Sequence, residues 1–170
     1  MQIIQTVLLA IFPALVIVAA LKDATSFTIP NWISIALVVA FLPAALAGGL
    51  TIQTVGLHLA VGLCALVAGM IMFAAGWIGG GDAKLFAASG LWLGLTPLPQ
   101  FLIVTALAGG ALALALVNLR SNWVRGLIPS GPAWIERLRA PKGDAPYGVA
   151  IAIGALVAFP QAAASLMGAG

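Results

Sequence analysis

Ala24–Gly81 reads ATSFTIPNWISIALVVAFLPAALAGGLTIQTVGLHLAVGLCALVAGMIMFAAGWIGGG and contains no Asp, Glu, Lys or Arg, although Asp23 and Asp82 bracket it. A membrane-spanning helix needs about 20 mainly apolar residues, so this stretch is long enough for two. Gly48-Gly49 and the polar run from Thr51 to Thr54 divide it. Working outward, residues 1–21, 85–119 and 145–170 are also free of charged side chains. Thr96-Pro97-Leu98-Pro99 splits the middle one of these. The pattern predicts an all-α, polytopic membrane protein with six helices: Ile3–Leu21, Asn31–Leu46, Val55–Gly76, Ala83–Leu95, Phe101–Leu119 and Tyr147–Met167. Residues 1–170 are read as a single integral-membrane domain.

Composition supports lipid as the solvent. Apolar residues make up 63% of the chain and charged residues 6%, against about a quarter charged in a soluble domain. With six spans, all seven basic residues (Lys22, Lys84, Arg120, Arg125, Arg137, Arg139 and Lys142) fall on one side or at its edge. Lys and Arg accumulate on the cytoplasmic side of membrane proteins, so that side is expected to face the cytoplasm and the anionic inner leaflet. Both termini and the loops near 47–54 and 96–100 are then outside. The basic residues form no aromatic-interleaved patch, which argues against nucleic acid as a partner. Met1-Gln2-Ile3 lacks the basic region of a secretory signal peptide, so the first helix reads as an anchor. Pro132–Arg139 reads as a short interfacial helix, with Trp134 and Leu138 toward lipid.

Chemistry has few places to reside. The acids are Asp23, Asp82, Glu136 and Asp144, all on the expected cytoplasmic side. Asp23 follows the first helix and Asp82 opens the fourth. Acids at membrane helices are costly and are functional candidates. Two of them meeting at one membrane face would suit aspartic proteolysis, in which one carboxylate takes a proton from water and the other, protonated, polarises a carbonyl. Gly79-Gly80-Gly81 before Asp82 removes side-chain bulk and permits unusual backbone angles, leaving room for a peptide. Structural readings stand beside these: Asp82 as an N-cap, Asp23 as a loop acid beside Lys22, Asp144 as a solvated loop residue and Glu136 as part of the interfacial helix. His58 reads as a hydrogen-bonded helix residue and Cys64 as a packing residue. Lys22 and Ser26 have the i,i+4 spacing of a Ser–Lys dyad, but Lys22 is better explained as a topology anchor. Ala106, Gly109-Gly110 and Ala113 read as positions for close helix packing. No His, Cys, Asp and Glu set has zinc spacing, and no cofactor or metal is expected.

Gly79-Gly80-Gly81-Asp82-Ala83-Lys84-Leu85 resembles the GxGD signature of the type IV prepilin peptidases and their archaeal preflagellin relatives. Asp23 followed by Ile29-Pro30-Asn31 resembles the family's first aspartate motif, and Pro146-Tyr147-Gly148-Val149-Ala150-Ile151-Ala152 resembles the start of its last helix. The resemblance implies an endopeptidase of the bacterial inner membrane that removes a short basic leader from prepilins at the cytoplasmic face. Asp23 and Asp82 carry over as the catalytic pair, and Gly79, Gly80, Gly81, Lys84, Pro30, Asn31, Tyr147 and Gly148 as motif or substrate-binding positions. Pilus assembly machinery is an implied partner. Larger members carry a cysteine-bearing domain associated with N-methylation, which this sequence lacks. It is therefore similar to the short branch serving Flp/Tad pili, and is expected to cleave without methylating. Ala24-Thr25-Ser26-Phe27-Thr28 stands where some relatives carry basic residues, which bears on leader specificity. Helix-end electrostatics suggest Asp82 as base and Asp23 as acid. A rival reading is a non-catalytic membrane scaffold or transport subunit, which leaves the two boundary aspartates and the glycine run unexplained.

Overall fold

A computed structural model describes residues 2–121, 136 and 145–168. Among these lie α1 (Gln2–Ser26), α2 (Asn31–Ala47), α3 (Ile52–Ala74), α4 (Gly80–Leu93), α5 (Leu98–Leu119) and α6 (Tyr147–Leu166). The fold is all-α and polytopic. Four helices, α1, α3, α5 and α6, are long and apolar enough to cross a membrane, whereas α2 is a shorter apolar helix of 17 residues and α4 has only 14. The interfacial helix expected over 132–139 lies outside the described residues apart from Glu136, as do Arg125, Lys142 and Asp144.

The helix ends follow local chemistry. Thr51 caps α3, its hydroxyl accepting from the Thr54 N–H at 3.2 Å. Pro30 stands immediately before α2 in extended backbone, at φ −60° and ψ 137°. Two boundaries differ from the expected ones in a way that matters. α1 continues five residues beyond Leu21, so Asp23 lies within its last turns. α4 begins at Gly80, which places Asp82 at its third position.

α4 is the hub. It packs on α3, α6 and α2, while α5 packs chiefly on α6. Every α4 residue from Leu85 to Leu93 is buried. At about 1.5 Å per residue, α4 covers only about 21 Å of a hydrocarbon layer of about 30 Å, and neighbouring helices rather than lipid cover its sides. Small residues permit the α3–α4 approach: a Cβ on Gly62 would sit 2.9 Å from the Leu91 Cβ, and one on Gly69 would sit 3.1 Å from the Ala83 backbone. With no hydrophobic effect between helices in lipid, such close packing supplies the association. The buried Trp92 ring, next to Phe12 and Phe41, donates its Nε1–H to the Leu37 carbonyl at 2.8 Å and ties α4 to α2.

Three packing expectations are settled. His58 is a hydrogen-bonded helix residue, its Nδ1 2.8 Å from the Leu91 carbonyl oxygen, at the end of α4 away from Asp82. Cys64 is exposed on the outer face of α3 and does not pack in the core. Gly109-Gly110 does not make the close contact expected of it: a Cβ on Gly110 would meet nothing within 4 Å, and one on Gly109 only ordinary contacts at 3.8 Å. The tight point between α5 and α6 is instead Gly154, where a Cβ would run into Thr105 and the Phe101 carbonyl oxygen.

Candidate active site

α1 ends, α4 begins and α6 begins at the same end of the bundle. The opposite ends of α1 and α6 meet where the Gln5 Nε2 donates to the Leu166 carbonyl at 3.0 Å. This antiparallel arrangement places Asp23, from the last turns of α1, beside Asp82, from the first turn of α4. Both are nearly buried, at 4% and 6% exposure. Together they line a small cavity of about 210 Å³, whose remaining walls are Phe27–Ile29 from the α1–α2 turn and Gly79–Gly81 from the α3–α4 turn.

Each carboxylate is held by a backbone amide. The Gly79 N–H donates to Asp82 Oδ2 at 3.0 Å, so Asp82 reaches back to close its own helix end. Gly79, not Asp82, occupies the N-cap position. The Gly148 N–H donates to Asp23 Oδ2 at 2.7 Å, and the Val149 amide also faces Asp23. Asp23 thus stands at the amino end of α6, where partial positive charge favours an anion. Both aspartates therefore receive amides from a helix amino end, and the expected helix-end contrast between them is not present. The Gly148 amide also interacts with Asp82, and the two carboxyl groups interact electrostatically with each other. Asp82 Oδ1 is buried and has no hydrogen-bond partner among the described residues. A buried carboxyl oxygen without a partner is costly.

The glycines act through space, not unusual angles. Gly79, Gly80 and Gly81 all have negative φ, contrary to the expected backbone freedom. A Cβ on Gly81 would lie 3.0 Å from the Ile29 Cβ, so the two turns close on each other there. A Cβ on Gly148 would lie 2.8 Å from Asp23 Oδ2 and 2.7 Å from the Ile29 Cδ1. The left-handed backbone, φ 55°, belongs to Phe27. Its N–H bonds to the Asp23 carbonyl at 2.9 Å, ending α1 and turning Thr28 and Ile29 back over the cavity. Nothing in the sequence signals this, because glycine is the usual residue at such a cap.

The other motif residues lie outside the cavity. The Lys84 Nζ donates to Asn31 Oδ1 at 2.8 Å, bridging α4 and α2. Tyr147 lines a separate cleft of about 400 Å³ against α5. The Ser26 hydroxyl donates to the Lys22 carbonyl at 2.6 Å, a helix-end bond rather than a contact with the lysine amine. Glu136 is exposed and does not line the cavity. Among the described residues no three His, Cys, Asp or Glu side chains gather as metal ligands.

Fold and site together define an integral membrane protein with two buried acids converging in a glycine-walled cavity. Residues 10–114 match the type IV leader peptidase family, and the chain belongs to that family. A stretch of 66 residues is 39% identical to the prepilin leader peptidase/N-methyltransferases of Aeromonas hydrophila and Aeromonas salmonicida. It covers 36% of this chain and 23% of each relative, so the match spans less than a quarter of those proteins. No solved structure matches the chain.

Proposed function

We propose that this chain is a GxGD-type aspartic endopeptidase that removes short basic leaders from prepilins, with Flp/Tad-type precursors as substrates, at the cytoplasmic face of a bacterial inner membrane. The observation that carries the reading is the convergence of Asp23 and Asp82, from separate helices, on one small cavity. Two close carboxyl groups with little solvent share a proton more readily than they carry two charges. The ionised member takes a proton from water as its oxygen attacks the scissile carbonyl carbon. The protonated member donates to the carbonyl oxygen. The resulting tetrahedral gem-diol returns one hydroxyl proton to the pair as the C–N bond breaks, and the nitrogen leaves with the proton first taken from water. The pair titrates as a unit, so the two roles belong to the dyad. A scaffold would have no use for two buried acids converging on one cavity.

The experiment is co-expression with candidate small pilins that retain their leaders. A leader-sized drop in pilin mass that depends on this chain supports the reading. Unprocessed precursor throughout a panel of basic-leader prepilins, with the chain inserted, would sink it.

Six crossings, including the short α2 and α4, give the orientation that keeps the basic residues on one side. Single cysteines at 50, 98 and 140 in a Cys64→Ser background test this with a membrane-impermeant thiol reagent. Positions 50 and 98 are expected to label from outside and 140 to remain dark. The reverse pattern would invert the topology.

A further inference from the structure

α2 and α3 each rest on α4 rather than on each other. The space between them is a groove of about 530 Å³, walled by Val38 and Val39 of α2 and Leu63 and Leu66 of α3, and floored by Ala87 and Ala88 of α4. Its polar end is the Asn31–Lys84 pair. That end adjoins the aspartate cavity through the chain itself. Lys84 lies one turn beyond Gly80 and Gly81 on the same face of α4, and both glycines line the cavity, as does Ile29, two residues before Asn31. On the far side α6 backs Asp23 with its amide and contributes no residue to the cavity wall. A polypeptide leaving the cavity toward the membrane therefore has this groove as its adjoining course.

The dimensions suit a helix lying on the surface. From Asn31 to Val39 the groove runs about 12 Å. Its volume then corresponds to roughly half the cross-section of a helix about 10–12 Å across. A helix would seat one face on the alanine floor, where small side chains permit close approach, and leave its other face to lipid. We propose that the groove between α2 and α3 seats the apolar segment of the precursor immediately beyond the cleaved bond. The proposal rests on the leader-peptidase reading and adds where the membrane part of the substrate binds.

Val38 and Leu63 are 51% and 62% exposed, so Val38→Trp and Leu63→Trp fill the groove without disturbing the core. Val117→Trp, 69% exposed on α5, is the control. Each variant is assayed on a full precursor in bilayer discs and on a soluble peptide with the leader and scissile bond but no apolar segment. The groove variants are expected to lose about tenfold or more in kcat/KM on the precursor and to stay within about twofold on the peptide, while Val117→Trp changes neither. In parallel, Val38→Cys in a Cys64→Ser background is expected to form disulfides with precursor cysteines spaced three and four apart, the period of a docked helix face. Undiminished precursor cleavage by both groove variants would overturn the proposal. So would equal losses on both substrates, or loss of co-purifying phospholipid alone, which would make the groove a lipid site. If the parent chain cuts neither substrate, the peptidase reading itself fails. If it cuts the precursor alone, the disulfide pattern decides.

Discussion

Asp82→Asn and Asp23→Asn are each expected to reduce precursor cleavage by about a thousandfold or more while leaving the amount of inserted protein unchanged. General acid–base groups contribute about 10²–10⁴-fold each, and on the proposed mechanism each carboxyl depends on the other for its protonation state, so losing either disables both. Asparagine preserves the shape, and its carbonyl oxygen can still accept the Gly79 or Gly148 N–H that holds the native side chain. What it cannot do is exchange a proton. Stability should hold or rise, because each change removes one of two buried carboxyl groups, at 4% and 6% exposure, and relieves the cost of confining them together. Glu136→Gln and Asp144→Asn are the matched controls and should retain most activity. Cleavage rates by mass shift, with membrane levels by immunoblot, check all four variants. Near-parent processing by either catalytic variant, confirmed folded, would mean that the dyad is not Asp23 with Asp82.

Much of this arrangement is written plainly in the chain. Charge-free runs separated by Gly48-Gly49 and Thr96–Pro99 mark the helices, because lipid tolerates little else. Asp23 and Asp82 stand out because ionisable groups are so scarce. What could not be read there depends on neighbours in space. α1 runs past Lys22 and Asp23 to the left-handed Phe27, and α6 supplies an amide to the Asp23 side chain from 125 residues away, a partner no local pattern reveals. α4 begins at Gly80 because Asp82 bonds back to Gly79, so the glycine run is partly helix rather than loop. Small residues point to close packing without naming the partner. Gly62 and Gly69 meet α4, whereas Gly110 faces open space. Cys64 and the core residues are equally apolar in their sequence surroundings, and only the angular position of α3 sends Cys64 outward.

Gly148→Ala tests the link between α6 and the dyad, and it is expected to cost about ten- to a hundredfold in kcat/KM. The added methyl carbon would lie 2.8 Å from Asp23 Oδ2 and 2.7 Å from the Ile29 Cδ1. The Ile29 contact involves the flexible end of a side chain and can yield. The Asp23 contact cannot, because the same residue's N–H must stay 2.7 Å from that oxygen to keep its bond. α6 must therefore retreat from Asp23, weakening the hydrogen bond from its N–H to the carboxylate, a class of bond worth about 1.5–3 kcal/mol, and each 1.4 kcal/mol is about tenfold in rate. Helix propensity works in the opposite direction, since alanine is favoured over glycine inside a helix by about 0.5–1 kcal/mol. A loss of activity would thus not reflect a weaker α6. Gly110→Ala, where the new methyl meets nothing within 4 Å, should be neutral under the same assay. Adding Ile29→Val to Gly148→Ala removes one of the two obstructions and should restore only part of the rate, because the contact with Asp23 remains. Parent-like cleavage by Gly148→Ala would show that the dyad works without the Gly148 amide, and that Asp23 is positioned by α1 and its turn alone.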